Sequence, residues 1–293
     1  MKNTEKTAKP LQSSFFSNVL QLEPLTRITY FMVFISSAFV IHNGITEFKM
    51  FTLCFVALLA SYFGNQNLQN QEHDKSSETT LKNSLLYFVQ LLTVVAFFSL
   101  TENIFVTAVF ISALFCAFVR TLLGAKTVTR ILTCLPLLVI ELVCLALIGA
   151  FSQLGRFSEE ECGTYYIVSV FGIVTACFLF AAQVLKNVVI FKQAGWCQEK
   201  SFQNKKNQTI TRPSNMFRLY ALLIFIGSML PISLAFLGKL HPAFYIYVIP
   251  LAFGLKISEV LFKKHDNSAE VIQTLKISSL IGFINILIGV IAK

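Results

Sequence analysis

Met50-Phe-Thr-Leu-Cys-Phe-Val-Ala-Leu-Leu-Ala-Ser-Tyr-Phe-Gly64 runs directly into Asn65-Gln-Asn-Leu-Gln-Asn-Gln-Glu-His-Asp-Lys75. The first half carries no charge and is dense in large apolar side chains. The second half is almost wholly amides, ending in two acids, a histidine and a lysine. A break this abrupt reads as a membrane span that meets water near Gly64. Gln66, Asn70 and Asp74 follow one another at intervals of four, drifting about 40° per step on a helix, so all three occupy one face. Polar groups aligned at the end of a span are costly unless they face a cavity, a ligand or solvent.

Working outward, the rest of the chain repeats the apolar pattern. It has 293 residues, 55% hydrophobic and 13% charged, with 30 phenylalanines. A soluble domain carries about 25% charged residues. Apolar runs of this length suit helices crossing about 30 Å of hydrocarbon, whereas barrel strands would read as short alternating segments. The expected fold class is therefore all-α, an integral membrane bundle. Spans are predicted near 26–44, 50–66, 84–100, 104–122, 131–151, 164–186, 217–237, 243–262 and 274–292. Residues 1–24 form a polar tail and an interfacial segment, with Phe15, Phe16, Val19, Leu20 and Leu22 as an apolar stripe, and 25–293 form a single transmembrane domain.

The net charge of +9 follows the spans rather than marking a nucleic-acid surface. Of the 24 Lys and Arg, only Lys49, Arg156, Lys239 and Lys293 fall on the side opposite the N-terminus and Lys256 falls inside a span, leaving 19 on the N-terminal side. The positive-inside rule then puts the N-terminus inside, as in a multi-pass protein of a bacterial inner membrane. The first dozen residues lack the order of a cleavable signal, so the first span is expected to act as its own insertion signal. Seven scattered cysteines without C-x-x-C spacing point to no disulfide framework and no zinc site. Glu141 sits mid-span and needs a partner or a cavity. Pro231 and Pro250 are expected to kink their helices.

A second polar stretch closes the sixth span, Gln183-Val-Leu-Lys186-Asn187-Val-Val-Ile-Phe191-Lys192-Gln-Ala-Gly195. Two amide-rich ends four spans apart suggest a duplicated four-helix unit, with the polar ends facing one another across a central cavity. Together these stretches resemble the two signatures of the UbiA superfamily of membrane prenyltransferases. The first, N-D-x-x-D-x-x-x-D, ends the family's second helix, where this chain has Gln66-Asn67-Leu-Gln-Asn70-Gln-Glu-His-Asp74. The second, N-x-x-R-D-x-x-x-D-R-x-x-G, ends the sixth, and here the basic positions Lys186 and Lys192 and the glycine Gly195 agree. Lys200-Ser201 and Leu275-Lys-Ile-Ser-Ser-Leu-Ile-Gly282 resemble further family segments, so the resemblance spans nearly the whole chain.

The resemblance implies a bundle of about nine helices that transfers a polyprenyl group from its diphosphate to an aromatic or quinone-precursor acceptor. It puts Asp74, Asn70 and Asn187 at catalytic positions and Asp74 and Asn70 at Mg²⁺-ligand positions. Lys126, Lys186, Lys192, Arg120, Gln66, Asn67 and Gln183 are expected around the diphosphate. The family's Mg²⁺ is held by aspartates. Here Asn67, Asn70, Asn187 and Phe191 replace four of them, and an amide brings no negative charge to offset a hard cation's. Three readings stay open: an active prenyltransferase, a degenerate relative that binds an isoprenoid lipid or a protein partner, and a transporter. A transporter site would lie near the midplane, whereas these polar residues gather at the inner mouth.

Overall fold

A computed structural model describes residues 28–29, 31–40, 47–71, 77–101, 103–123, 128–154, 162–193, 213–263 and 268–291. These are all helix and short turn, with no strand among them. The helices are α1 (Phe31–Val40), α2 (Phe48–Gln71), α3 (Ser77–Thr101), α4 (Ile104–Leu123) and α5 (Val128–Leu154). Then follow α6 (Cys162–Gln193), α7 (Pro213–Phe236), a 3₁₀ helix (Pro242–Tyr247), α8 (Val248–Lys263) and α9 (Ser268–Ile291). Four stretches are long and apolar enough to cross a membrane: Cys134–Leu154, Cys162–Leu185, Met216–Phe236 and Pro242–Val260. The chain is thus an α-helical membrane protein, and the remaining helices carry shorter apolar segments over the described residues.

Consecutive helices pack side by side with alternating direction. The α2 start lies by the α5 end, where the Glu47 N–H donates to Gln153 Oε1 at 3.2 Å. The α4 start and the α6 start meet that same α5 end, through Phe105 against Phe151 and Phe151 against Tyr165. The 3₁₀ helix joins them, with Phe244 stacked on Phe171 at 5.9 Å. By alternation, the C-terminal ends of α2, α4, α6 and α8 share the opposite end of the bundle. That end receives both polar stretches.

α6 is buried almost all round, from Val168 to Leu185, which marks it as the central helix. It packs against α5 and α7 as chain neighbours and against α9 across the bundle. α1 packs against α2, α5 and α9. Its Phe31 and Phe34 rings meet Phe51, Phe55 and Tyr62 of α2, and its backbone is approached by glycines of α5 and α9. A Cβ on Gly149 would collide with the Phe34 carbonyl, and one on Gly282 would lie 2.7 Å from the Met32 side chain. Apolar burial gives helices little reason to associate in lipid, so close backbone approach at small residues takes over that role.

Local signals account for the helix ends. Asn103 caps α4, its Oδ1 accepting from the Phe105 N–H at 2.9 Å and the Val106 N–H at 3.3 Å. α7 closes with Gly238 at φ 69°, where the Gly238 N–H reaches the Ala235 carbonyl and the Lys239 N–H reaches that of Leu234, a Schellman ending. The His241 ring nitrogen then caps the 3₁₀ helix by accepting from the Ala243 N–H. Pro231 lies inside α7, as its sequence position suggests. Pro250 is the third residue of α8, which follows the 3₁₀ helix without a break. Pro136, which the sequence reading does not single out, lies inside α5.

Gly172 of α6 and Gly238 separate two kinds of glycine. A Cβ on Gly172 would sit 2.7 Å from Val143 Cα, whereas one on Gly238 meets nothing and suffers only its positive φ. Gly172→Ala is expected to cost about 1–3 kcal/mol by overpacking, and Gly238→Ala about 1 kcal/mol by left-handed strain. Melting of both variants in detergent checks this, and a Gly172→Ala variant as stable as wild type would contradict the close α5–α6 crossing.

Candidate functional site

The polar end of the bundle is built by four helix ends, and Arg120 is the one charged residue expected near the diphosphate whose side chain is described. Arg120 lies in the last turn of α4, where a cation is favoured by the helix dipole. Glu141 lies on α5, inside the apolar run Cys134–Leu154. The two side chains meet edge-on: Arg120 Nε donates to Glu141 Oε2 at 2.7 Å and Nη2 donates to Oε1 at 3.0 Å. This is the planar fork that guanidinium and carboxylate favour. Glu141 is fully buried and the Arg120 side chain keeps 27% of its surface exposed. The mid-span acid thus has a partner, and the arginine expected near the diphosphate is the one that supplies it.

The other expected residues fall as follows. Gln66, Asn67 and Asn70 are carried on α2, which stays helical through the amide-rich stretch to Gln71. Lys186, Asn187 and Lys192 are carried on α6, which continues to Gln193. The side chains of these six lie outside the described residues. Gln183, on the same helix, is half-buried. Asp74, Lys126 and Gly195 lie outside the described residues altogether, as do Lys200 and Ser201. The helical course of α2 and α6 brings the two signature stretches to the end that holds Arg120.

The donor set fits Mg²⁺ poorly. Among the described residues no three His, Cys, Asp or Glu gather as a metal site. In the signature positions, Asp74 is the sole carboxylate beside Asn67, Asn70, Asn187 and Phe191. Three neutral amides and a phenyl ring do not supply the anionic oxygens that a hard divalent cation needs against a diphosphate.

Two buried polar clusters lie elsewhere. Tyr247, in the 3₁₀ helix, donates its hydroxyl to Asn285 Oδ1 of α9, and Asn285 Nδ2 donates to Thr175 Oγ1 of α6 at 3.2 Å. All three are fully buried, so the chain of hydrogen bonds ties three elements at one depth. Sequence reasoning missed it, although an asparagine inside the last apolar span was the available signal. Ser228 of α7 is buried with no partner for its hydroxyl among the described residues. It sits one turn before Pro231, which has no N–H to return to the Gly227 carbonyl.

At the opposite end of the bundle, Phe105, Leu147, Phe151, Tyr165, Tyr166 and Ser169 line a cavity of about 260 Å³. Its walls are mostly aromatic and carry no formal charge.

Glu141→Leu is expected to destabilise the protein by about 3–5 kcal/mol, because it strands a guanidinium inside the bundle, while R120M/E141L recovers most of that loss. Asn285→Leu should cost about 1–3 kcal/mol by orphaning the Tyr247 hydroxyl. Thermal unfolding in one detergent ranks all three, and a double variant no better than Glu141→Leu would contradict the direct pairing. No family model matches the sequence, and no curated protein matches it.

Proposed function

We propose that the chain is a multi-pass protein of the UbiA prenyltransferase type, with its N-terminus on the inner face of a bacterial inner membrane. It binds a polyprenyl diphosphate by its head at the polar end of the bundle and transfers the chain to an aromatic or quinone-precursor acceptor. In that step the bond between the allylic carbon and the diphosphate oxygen breaks, a new bond to the acceptor ring forms, and the ring gives up a proton. The observation that carries this reading is the shared end of α2, α4 and α6. Two signature-like stretches, four helices apart in sequence, are carried on helices whose C-terminal parts lie toward the same end of the bundle as Arg120. The lysines of α6 and Arg120 supply positive charge there, and the apolar spans offer the polyprenyl tail a medium like its own.

A second reading is favoured by the replaced carboxylates. Asn67, Asn70 and Asn187 preserve shape and hydrogen bonding while removing the charge that holds metal, which suits a protein that binds the isoprenoid without turning it over. Incubating purified protein with geranyl, farnesyl and longer isoprenoid diphosphates and a panel of aromatic acceptors separates the two. Transfer that varies little with added Mg²⁺, and falls about tenfold or more in Lys186→Ala/Lys192→Ala, supports the enzyme. Saturable binding without product supports the second reading, and absence of binding to every diphosphate would sink both.

A further inference from the structure

We propose that Lys256 of α8 and Lys276 of α9 together hold the phosphate of an anionic phospholipid against the lipid-facing side of the bundle. Lys256 lies inside the apolar stretch Pro242–Val260, four residues before its end. Its side chain is exposed and makes no ion pair or hydrogen bond among the described residues. Glu259, one turn nearer the end of α8, is exposed too, and it does not pair with Lys256. On the other side of Lys256 the exposed face of α8 is apolar, with Phe253 and Ile249. A lone ammonium at this depth is costly in hydrocarbon, so the lysine extends toward the headgroups and finds its counter-ion among them.

Packing gives Lys256 a neighbour at its own depth. α8 lies between α7 and α9 and packs on both. It meets α7 at Gly254, where a Cβ would collide with Ile224. Lys256 is two positions on, about 200° round the helix, and so faces away from α7. On α9, Lys276, Leu280, Phe283 and Leu287 are exposed and recur at helical spacing, while Ile277, Ile281 and Ile284 between them are buried. Lys256 comes seven residues, about 10 Å, before the end of α8, and Lys276 comes eight residues, about 12 Å, after the start of α9. The two antiparallel neighbours thus carry their lysines at one level. Toward the middle of the membrane both exposed faces continue in Phe253, Ile249, Leu280 and Phe283. Two cations above an apolar strip match a phospholipid, with its phosphate at the lysines and its chains along the strip. A soluble phosphate would leave the strip unused. A zwitterionic headgroup brings an ammonium of its own, so two lysines favour a lipid with net negative charge.

Quenching of a tryptophan reporter by lipids with brominated chains tests this on the full chain in vesicles. Trp196 is the only tryptophan, so Phe253→Trp is made together with Trp196→Phe, and brominated phosphatidylglycerol is compared with brominated phosphatidylcholine. The expected result is that the anionic lipid binds at least about fivefold more tightly than the zwitterionic one, the factor that a single lysine near the headgroups contributes. K256M should lower this preference by about fivefold, K256M/K276M should abolish it, and Lys256→Arg should keep it. Arg218→Met removes an exposed cation from α7, on the far side of α8 from α9, and should leave the preference near its starting value. Melting in detergent confirms the fold of each variant, and where K256M/K276M does not fold, K256M and Arg218→Met decide. A preference that survives K256M, or that falls as far in Arg218→Met as in K256M, would overturn the inference. A reporter protein with both lysines intact and no preference for the anionic lipid would overturn it as well.

Discussion

The bilayer's lack of hydrogen-bonding partners is the constraint on which the rest of this structure depends. Every backbone N–H and C=O at membrane depth has to be satisfied within the chain, and helices do this segment by segment. What remains is to hold the helices together without the hydrophobic effect that would drive them together in water. The protein uses close approach. α1 is gripped by Gly149 of α5 and Gly282 of α9, and Gly172 lets α6 lie against the α5 backbone. These contacts put α1, α5, α6 and α9 at the centre, and they leave many of the described side chains of α3 and α4 facing outward.

On that frame the buried polar groups act as fixed points. Asn285 joins α9 to α6 and to the 3₁₀ helix, and Gln153 joins the end of α5 to the start of α2. The Arg120–Glu141 pair joins α4 to α5 in the same way but differs in kind, because it brings two formal charges to a helix interface and leaves one of them partly accessible.

Much of the fold was legible in the sequence, because a membrane span is written in residue type alone. The change at Gly64 and the later one near Gln183 mark where apolar runs meet polar residues, and the helices do pass through both. Glu141 was legible as an acid in need of a partner. Its partner was not, since the offset between α4 and α5 is set by side-chain packing and not by the length of their connection. The 3₁₀ helix was hidden for a related reason: Pro242 and His241 look like a simple turn, and only the cap on the Ala243 N–H shows a separate element. For the site, the amides and lysines of α2 and α6 could be assigned to helix ends, whereas Asp74 and Lys126 fall outside the described residues.

The central claim is that a diphosphate head sits at the end of the bundle shared by α2, α4 and α6. Photolabelling tests it most directly, using an isoprenoid diphosphate analogue with a photoreactive group next to the phosphates, followed by mapping of the labelled peptides. The account expects label in the C-terminal parts of α2, α4 and α6, suppressed by excess inorganic pyrophosphate. Label confined to the aromatic cavity around Phe151 and Tyr165, at the opposite end, would contradict it.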